Sequence, residues 1–233
     1  MVSIIIPTYN EEIALAANLD SLRRVRGDFE VIVADGRSTD RTREQVETRQ
    51  ATFPRPMLWL SAERPRALQL NRGAEIARGD SLLFLYADAL LASDAIEALC
   101  AALEREDIVG GNFNLRYEEE SDWARLFTWI NRHRRAFGIY YGDSAIFVRR
   151  AVFDRLGGFR PIPIMDDYEF VRRLERSGRT VCLHSVVTVS SRRWRRQGVL
   201  RTLWSWFVIQ SLYSMGVEPR RLDRWYRPVR ENR

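Results

Sequence analysis

Apolar runs and helix-spaced apolar residues alternate through the first hundred positions. Val2 to Ile6 is a β-branched run that reads as a buried strand. Asn10 is a suitable N-cap, Glu11 and Glu12 suit a first helical turn, and Leu15, Leu19 and Leu22 recur at helical spacing. Glu30 to Ala34 predicts a second strand. Ser38, Thr39 and Asp40 offer caps for a helix to Gln50, and Met57 to Leu60 a third strand. A helix over Ala67 to Arg78, closed by Gly79, a strand over Leu82 to Tyr86 and a helix from a Ser93 cap to Glu104 complete the series.

Alternating strands and helices with short connections predict an α/β fold, a parallel sheet with helices on both faces. Ligands of such sheets bind beyond the carboxyl ends of the strands. That rule nominates Pro7 to Asn10, Asp35 to Ser38 and Tyr86 to Asp88.

The second half is more mixed. Strands are expected over Ile108–Tyr117 and Ser144–Arg149, and extended chain over Val181–Val189. Helices are expected over Ser121–Phe137 (Trp123, Phe127 and Ile130 on one face), Ala151–Leu156 and Asp167–Ser177. The remainder is helical and rich in Trp. With no linker visible, residues 1–233 read as one domain of two halves, 1–105 and 106–233.

Composition narrows the function classes. All 37 basic residues are Arg, and the net charge is +6. Coding bias accounts for most of them, while a few placed guanidiniums suit phosphate recognition. Basic residues are dispersed and no nucleic-acid motif occurs, so nucleic acid is not expected as a partner. Cys100 and Cys182, in apolar surroundings, read as buried free thiols of a reducing cytoplasm. His133 and His184 lack ligand-spaced companions and read as structural.

The start MVSIIIPTYN is not a signal peptide, and no clean membrane span occurs. Val199 to Val217, with Trp204, Trp206, Phe207 and Tyr213, comes nearest. It reads as a core helix or a homodimer interface, or alternatively as a helix lying on the inner face of a membrane. The expected location is cytoplasmic, peripheral to the membrane on the second reading.

Three carboxylate sites carry candidate chemistry. Asp35 ends the second strand and can accept from a base N–H or a ribose hydroxyl, or it starts a turn. Asp88 follows the fourth strand and can hold a divalent cation on a diphosphate, or it is a turn or cap residue. Asp166 and Asp167, with Glu169 two residues on, can supply a general base, or they complement a helix dipole.

Taken in order, SIIIPTYNEE, VIVADGRSTDRT, NRGAEIARGDSLLFLYADA and GDSAIFVRRAVFDRLGGFRPIPIMDDYEF resemble family 2 of the glycosyltransferases over Val2 to Gly178. RALQLNRGA and SSRRW further resemble a small bacterial subfamily found near radical-SAM and selenium-related genes. The resemblance implies a GT-A fold with a mixed, mainly parallel sheet, 1–105 being the nucleotide-sugar-binding half and 106–233 the acceptor half with the C-terminal helices. It also implies inverting, hexosyltransferase-type transfer from a nucleoside diphosphate sugar, ordinarily UDP-linked. Pro7, Tyr9, Glu11, Asp35, Arg66, Ala87, Asp88, Arg193 and Trp194 would bind the donor. Asp88 would hold Mn²⁺ or Mg²⁺, and Asp167, preceded by Asp166, would be the base. The acceptor, a small molecule or a lipid, is not implied.

Two departures stand out. Tyr86 replaces the first Asp of the family's Asp-x-Asp, and a phenol is a poor ligand for a hard cation. The Glu-Asp motif reads Asp-Asp. Tyr86 keeps open a catalytically silent nucleotide-sugar binder. A nucleotidyltransferase-like α/β enzyme is disfavoured, because no Gly-rich phosphate loop follows the first strand.

Overall fold

The computed structural model describes residues 1–192 and 198–224. The elements run β1 (Val2–Thr8), α1 (Glu12–Leu22), β2 (Phe29–Asp35), α2 (Thr42–Gln50), β3 (Met57–Ser61), α3 (Arg66–Ile76), β4 (Ser81–Phe84), β5 (Ala89–Leu91), α4 (Ala95–Leu103), β6 (Ile108–Tyr117) and α5 (Asp122–Arg135). A 3₁₀ turn (Gly142–Ser144) then leads to β7 (Ile146–Arg149), α6 (Arg150–Leu156), α7 (Asp166–Ser177), β8 (Arg179–Val189), α8 (Val199–Ser214) and α9 (Pro219–Asp223).

All eight strands form one sheet, in the order β3-β2-β1-β4-β7-β6-β8-β5. β4, β1, β2 and β3 are mutually parallel, and β6 is parallel to β8. β7 runs against β4 and β6, and β5 against β8. The mixed, mainly parallel α/β sheet expected from the sequence is therefore present. Every residue of β1 and β2 is buried, as a strand covered on both faces requires. Ile4 and Ile6 join one core with Leu15, Leu19, Val46, Leu99 and Phe127. Ile5, one residue out of phase, joins the other with Leu70, Phe153, Phe170 and Leu174.

This strand order gathers distant segments at one rim. The chain leaves β1 for β2 and β3 on one side, then returns to β4 on the other, which makes a switch point between β1 and β4. The ends of β1, β2, β4 and β8 and the start of β7 all open there. Gln69, buried on α3, fastens the ends of β1 and β2 on this rim. Its Nε2 donates to the Thr8 carbonyl at 2.6 Å and the Ala34 carbonyl at 2.8 Å.

Several local expectations are corrected. Asn10 does not cap α1. It takes φ 54°, its N–H donates to Ser38 Oγ at 2.8 Å and its Oδ1 accepts from the Thr39 N–H at 2.8 Å, tying two rim loops together. The α3 helix stops at Ile76, because the next residues turn to bind Glu30 and Ser3. Gly79 is a close approach instead of a cap: a Cβ there would lie 2.7 Å from the Met1 carbonyl oxygen. Asp94, not Ser93, precedes α4, and β4 ends at Phe84. Trp123 is exposed, away from the buried Phe127. Both cysteines are free but exposed, since their apolar neighbours point to the core and they do not. Among the described residues no helix is long and apolar enough to cross a membrane.

Replacing Gln69 with Leu leaves the Thr8 and Ala34 carbonyls without this donor. A loss of about 1–3 kcal/mol is expected in urea unfolding, with no change of fold by circular dichroism.

Candidate active site

Two carboxylates on the rim are anchored in the same way. Asp35 Oδ1 accepts from Ser38 Oγ at 2.5 Å and Thr8 Oγ1 at 3.2 Å, and its Oδ2 accepts from the Ser38 N–H at 2.8 Å. Asp167 Oδ2 accepts from the Gly142 N–H at 2.9 Å and the Tyr86 hydroxyl at 3.1 Å, and its Oδ1 accepts from the Tyr168 N–H at 2.8 Å. A carboxylate oxygen accepts about two hydrogen bonds. Each group is thus fixed by three donors and keeps one oxygen with capacity for a ligand.

Asp166 sits at the start of α7, 1% exposed. Arg66, at the start of α3, closes a fork on it at 3.0 and 2.5 Å and lies 3.7 Å from Asp167. The same guanidinium stacks 4.6 Å over the Tyr86 ring. Burial pushes the Asp166 carboxyl up, against the pull of Arg66. Burial also opposes the charge of Arg66, but Asp166 and Asp167 hold it firmly protonated. Burial raises the Tyr86 phenol well above its ordinary range, so it remains a donor. Glu169 belongs elsewhere: it pairs with Arg173 at 2.7 Å and Arg160 at 3.1 Å and fastens α7 to the chain before it.

The donor-side candidates line the other half of the rim. Pro7 is buried in β1 opposite Ala34, and Ala87 is buried beside Asp88. Tyr9 lies under the Arg64 guanidinium, 4.1 Å away. Glu11 and Asp88 are joined by Arg192, which the sequence reading missed. Arg192 meets Glu11 at 2.6 and 2.9 Å and Asp88 at 3.1 Å. The predicted pair Arg193 and Trp194 lies outside the described residues. The signal for Arg192 was the Arg-Arg doublet after β8, a strand that ends on this rim.

Asp143, between Gly142 and Ser144, is a second residue the pattern did not reveal. Burial and the charges of Asp167 and Asp88 push its carboxyl up to about 7. No apolar periodicity marks a three-residue turn, so only its position ahead of β7 could have pointed to it.

Among the described residues no three Asp, Glu, His or Cys side chains cluster as a metal cage. Tyr86 spends its hydroxyl on Asp167, leaving Asp88 as the candidate ligand. That carboxylate already meets Arg192 at 3.1 Å, so it would hold Mg²⁺ or Mn²⁺ only together with oxygens that a diphosphate brings.

The family profile described as Glycosyl transferase family 2 matches residues 3–159. The chain belongs to glycosyl transferase family 2. It is 31% identical over 198 residues to a PGL/p-HBAD biosynthesis glycosyltransferase of Mycobacterium tuberculosis, covering 82% of this chain and 76% of that one. It is 28% identical over 191 residues to the beta-monoglucosyldiacylglycerol synthase of a Nostoc species, covering 74% of this chain and 41% of that one. Among solved structures it resembles the mannosyltransferase PcManGT of Pyrobaculum calidifontis, in complex with GDP-Man and Mn²⁺, with TM-score 0.66 and 23% identity over 80% of this chain and 56% of that one. It also resembles S. aureus TarS 1–349 in complex with UDP-GlcNAc, with TM-score 0.63 and 18% identity over 82% of this chain and 58% of that one. The chain spans a little over half the length of these solved proteins, and the likeness to them is one of fold, the GT-A type.

Asp143→Asn tests the electrostatics of this family 2 site. The folded-state carboxyl titrates near 7 and the unfolded one near 3.8, so the native state loses stability as pH rises between them. The variant should gain thermal stability over wild type at pH 8 and gain less at pH 5, without nucleotide or divalent cation.

Proposed function

We propose that this chain is an inverting, hexosyltransferase-type enzyme that moves a sugar from a nucleoside diphosphate donor, UDP-linked, to a lipid acceptor at a membrane surface. The observation that carries the transfer is the anchoring of Asp167. Three donors hold its carboxylate, and one face of Oδ1 is left to take a proton. Asp35, held in the same manner at the end of β2, suits a base N–H. Pro7, Tyr9, Glu11 and Ala87 complete the donor cradle, with Arg192 at the diphosphate. Arg66, forked on Asp166, acts on the nucleotide through the order it imposes on α7. The likeness of RALQLNRGA and SSRRW to the bacterial subfamily near radical-SAM and selenium-related genes belongs to this reading too.

Transfer then proceeds in one displacement. Asp167 takes the acceptor hydroxyl proton, and the oxygen bonds to the anomeric carbon from the face opposite the diphosphate. The bond from that carbon to the leaving oxygen breaks, its electron pair departs with the nucleoside diphosphate, and the anomeric centre inverts. Asp88 would hold Mg²⁺ or Mn²⁺, which when bound offsets the charge of the leaving diphosphate. A role for Tyr86 beside the base argues against a catalytically silent binder.

The lipid acceptor rests on the outer surface of two helices. Of eleven exposed large apolar residues among those described, eight lie on α5, α8 and the turns that end them. Trp123, Leu126, Trp129 and Phe137 recur at helical spacing on the first, and Leu200, Trp204, Phe207 and Met215 on the second. The inner faces of both helices pack into one core, through Phe127 and Ile130 and through Val199 and Leu203. Arg125, Arg132 and Arg201 flank the stripes, exposed, and α8 carries no acidic residue. Apolar stripes rimmed with Arg suit an anionic bilayer. The Nostoc relative, by its name, makes a glucosylated diacylglycerol. A second copy of the chain is the competing occupant.

Three outcomes are expected. One UDP-sugar raises the thermal midpoint of wild type, by about 2.7 kcal/mol of stabilisation at a hundredfold excess over Kd, and Asp35→Ala abolishes the shift. Asp167→Asn keeps that shift but loses about 10²–10⁴-fold in turnover. In flotation assays wild type binds vesicles containing phosphatidylglycerol, less so in high salt, and Trp204→Ala with Phe207→Ala weakens binding at least tenfold. A lipid-free dimer by light scattering, with no vesicle binding, would assign the stripes to self-association.

A further inference from the structure

Tyr86 is the position at which this sequence leaves its family's pattern, and the structure places its hydroxyl on the base. Oη donates to Asp167 Oδ2 at 3.1 Å, the same oxygen that receives the Gly142 N–H at 2.9 Å. The residue is held from three directions. Its carbonyl accepts from the Ala89 N–H at 3.0 Å and from Asn18 Nδ2 at 3.3 Å. Arg66 covers the ring face at 4.6 Å. Gly142 makes room for the phenol: a Cβ at that position would lie 1.9 Å from Oη and 2.3 Å from Cζ. A substitution of Asp by Tyr in a metal motif is ordinarily a loss. Here the larger side chain reaches another carboxylate, 81 residues further along the chain.

We propose that Tyr86 is a positioning residue for Asp167, and that Tyr86 and Gly142 form a two-donor clamp that leaves Oδ1 as the proton acceptor. The proposal rests on the assignment of Asp167 as the base. With both lone-pair sites of Oδ2 occupied, the incoming proton is directed to Oδ1. The clamp also stabilises the ionised carboxylate, so its removal makes the base hold its proton more tightly. Other charged or titratable groups acting on Asp167 are Arg66 from α3, Asp166 beside it, and Tyr141 and Asp143 from the turn before β7. All are unchanged by Tyr86→Phe, which keeps the ring and its stacking partner.

The test compares wild type with Tyr86→Phe, Tyr86→Asp and Asp167→Asn. Activity is read as hydrolysis of the UDP-sugar donor and its dependence on pH and Mn²⁺. Tyr86→Phe should lower kcat about tenfold and move the acid limb of the pH profile to higher pH, with donor KM and half-saturating Mn²⁺ unchanged. Tyr86→Asp should be no more active than Tyr86→Phe. If instead Tyr86→Phe weakens Mn²⁺ activation with an unmoved acid limb, or Tyr86→Asp tightens Mn²⁺ and restores turnover, Tyr86 is a metal-side residue and the proposal is wrong. An unchanged Tyr86→Phe overturns it equally.

A stability cycle separates this failure from failure of the base assignment. The unfolding constants of Tyr86→Phe, Asp167→Asn and the double variant should be non-additive by about fivefold, whether or not Asp167 is the base. Additivity would remove the clamp. Full activity in Asp167→Asn would remove the base assignment and leave the coupling intact.

Discussion

The Arg66–Asp166 fork is the contact on which the rim depends. A carboxylate 1% exposed is tolerable in a protein interior only when it is paired and hydrogen-bonded. Arg66 supplies both requirements from a helix 100 residues away in sequence. The fork joins the start of α3 to the start of α7, and so sets where Asp167, the next residue, is presented. The same guanidinium lies on the ring of Tyr86. Loss of this cation would leave a buried charge and free two helix ends together, a penalty of several kcal/mol.

Much of the fold was legible because fully buried strands are continuous apolar runs. Val2 to Ile6 and Glu30 to Ala34 announce themselves, and the helices between them follow from spacing. The rim loops followed from topology: any parallel sheet with this element order must open beyond Pro7, Asp35 and Tyr86. The misses share a cause. Three residues, Ala89–Leu91, are too short for periodicity to mark a strand. Asn10 was read as a cap because capping is local, whereas its partners Ser38 and Thr39 lie on another loop.

The site was legible by residue type but not by partnership. Asp35, Asp88, Asp166 and Asp167 were all marked by their places after strands or before a helix. That Tyr86 would reach Asp167 could not be read, since the link spans the sheet and needs the absent Cβ of Gly142. The apolar character of residues 199–217 was visible, but the matching outer stripe on α5 was not. Trp123 and Phe127 have helical spacing that a buried face would also have, and only packing separates them.

The Arg192 tie joins the start of the chain to residues beyond its last strand. Glu11 lies at the start of the first helix and Asp88 after the fourth strand, while their shared cation comes from beyond the last strand of the sheet. A ribosome must therefore deliver nearly the whole sheet before this ion-pair tie can form. Recombination faces the same requirement. A chimera that exchanged everything after residue 105 would inherit Glu11 and Asp88 without the guanidinium that joins them. A crossover that preserved this tie would have to take Glu11, Asp88 and Arg192 from one parent, or return an Arg to the same spot.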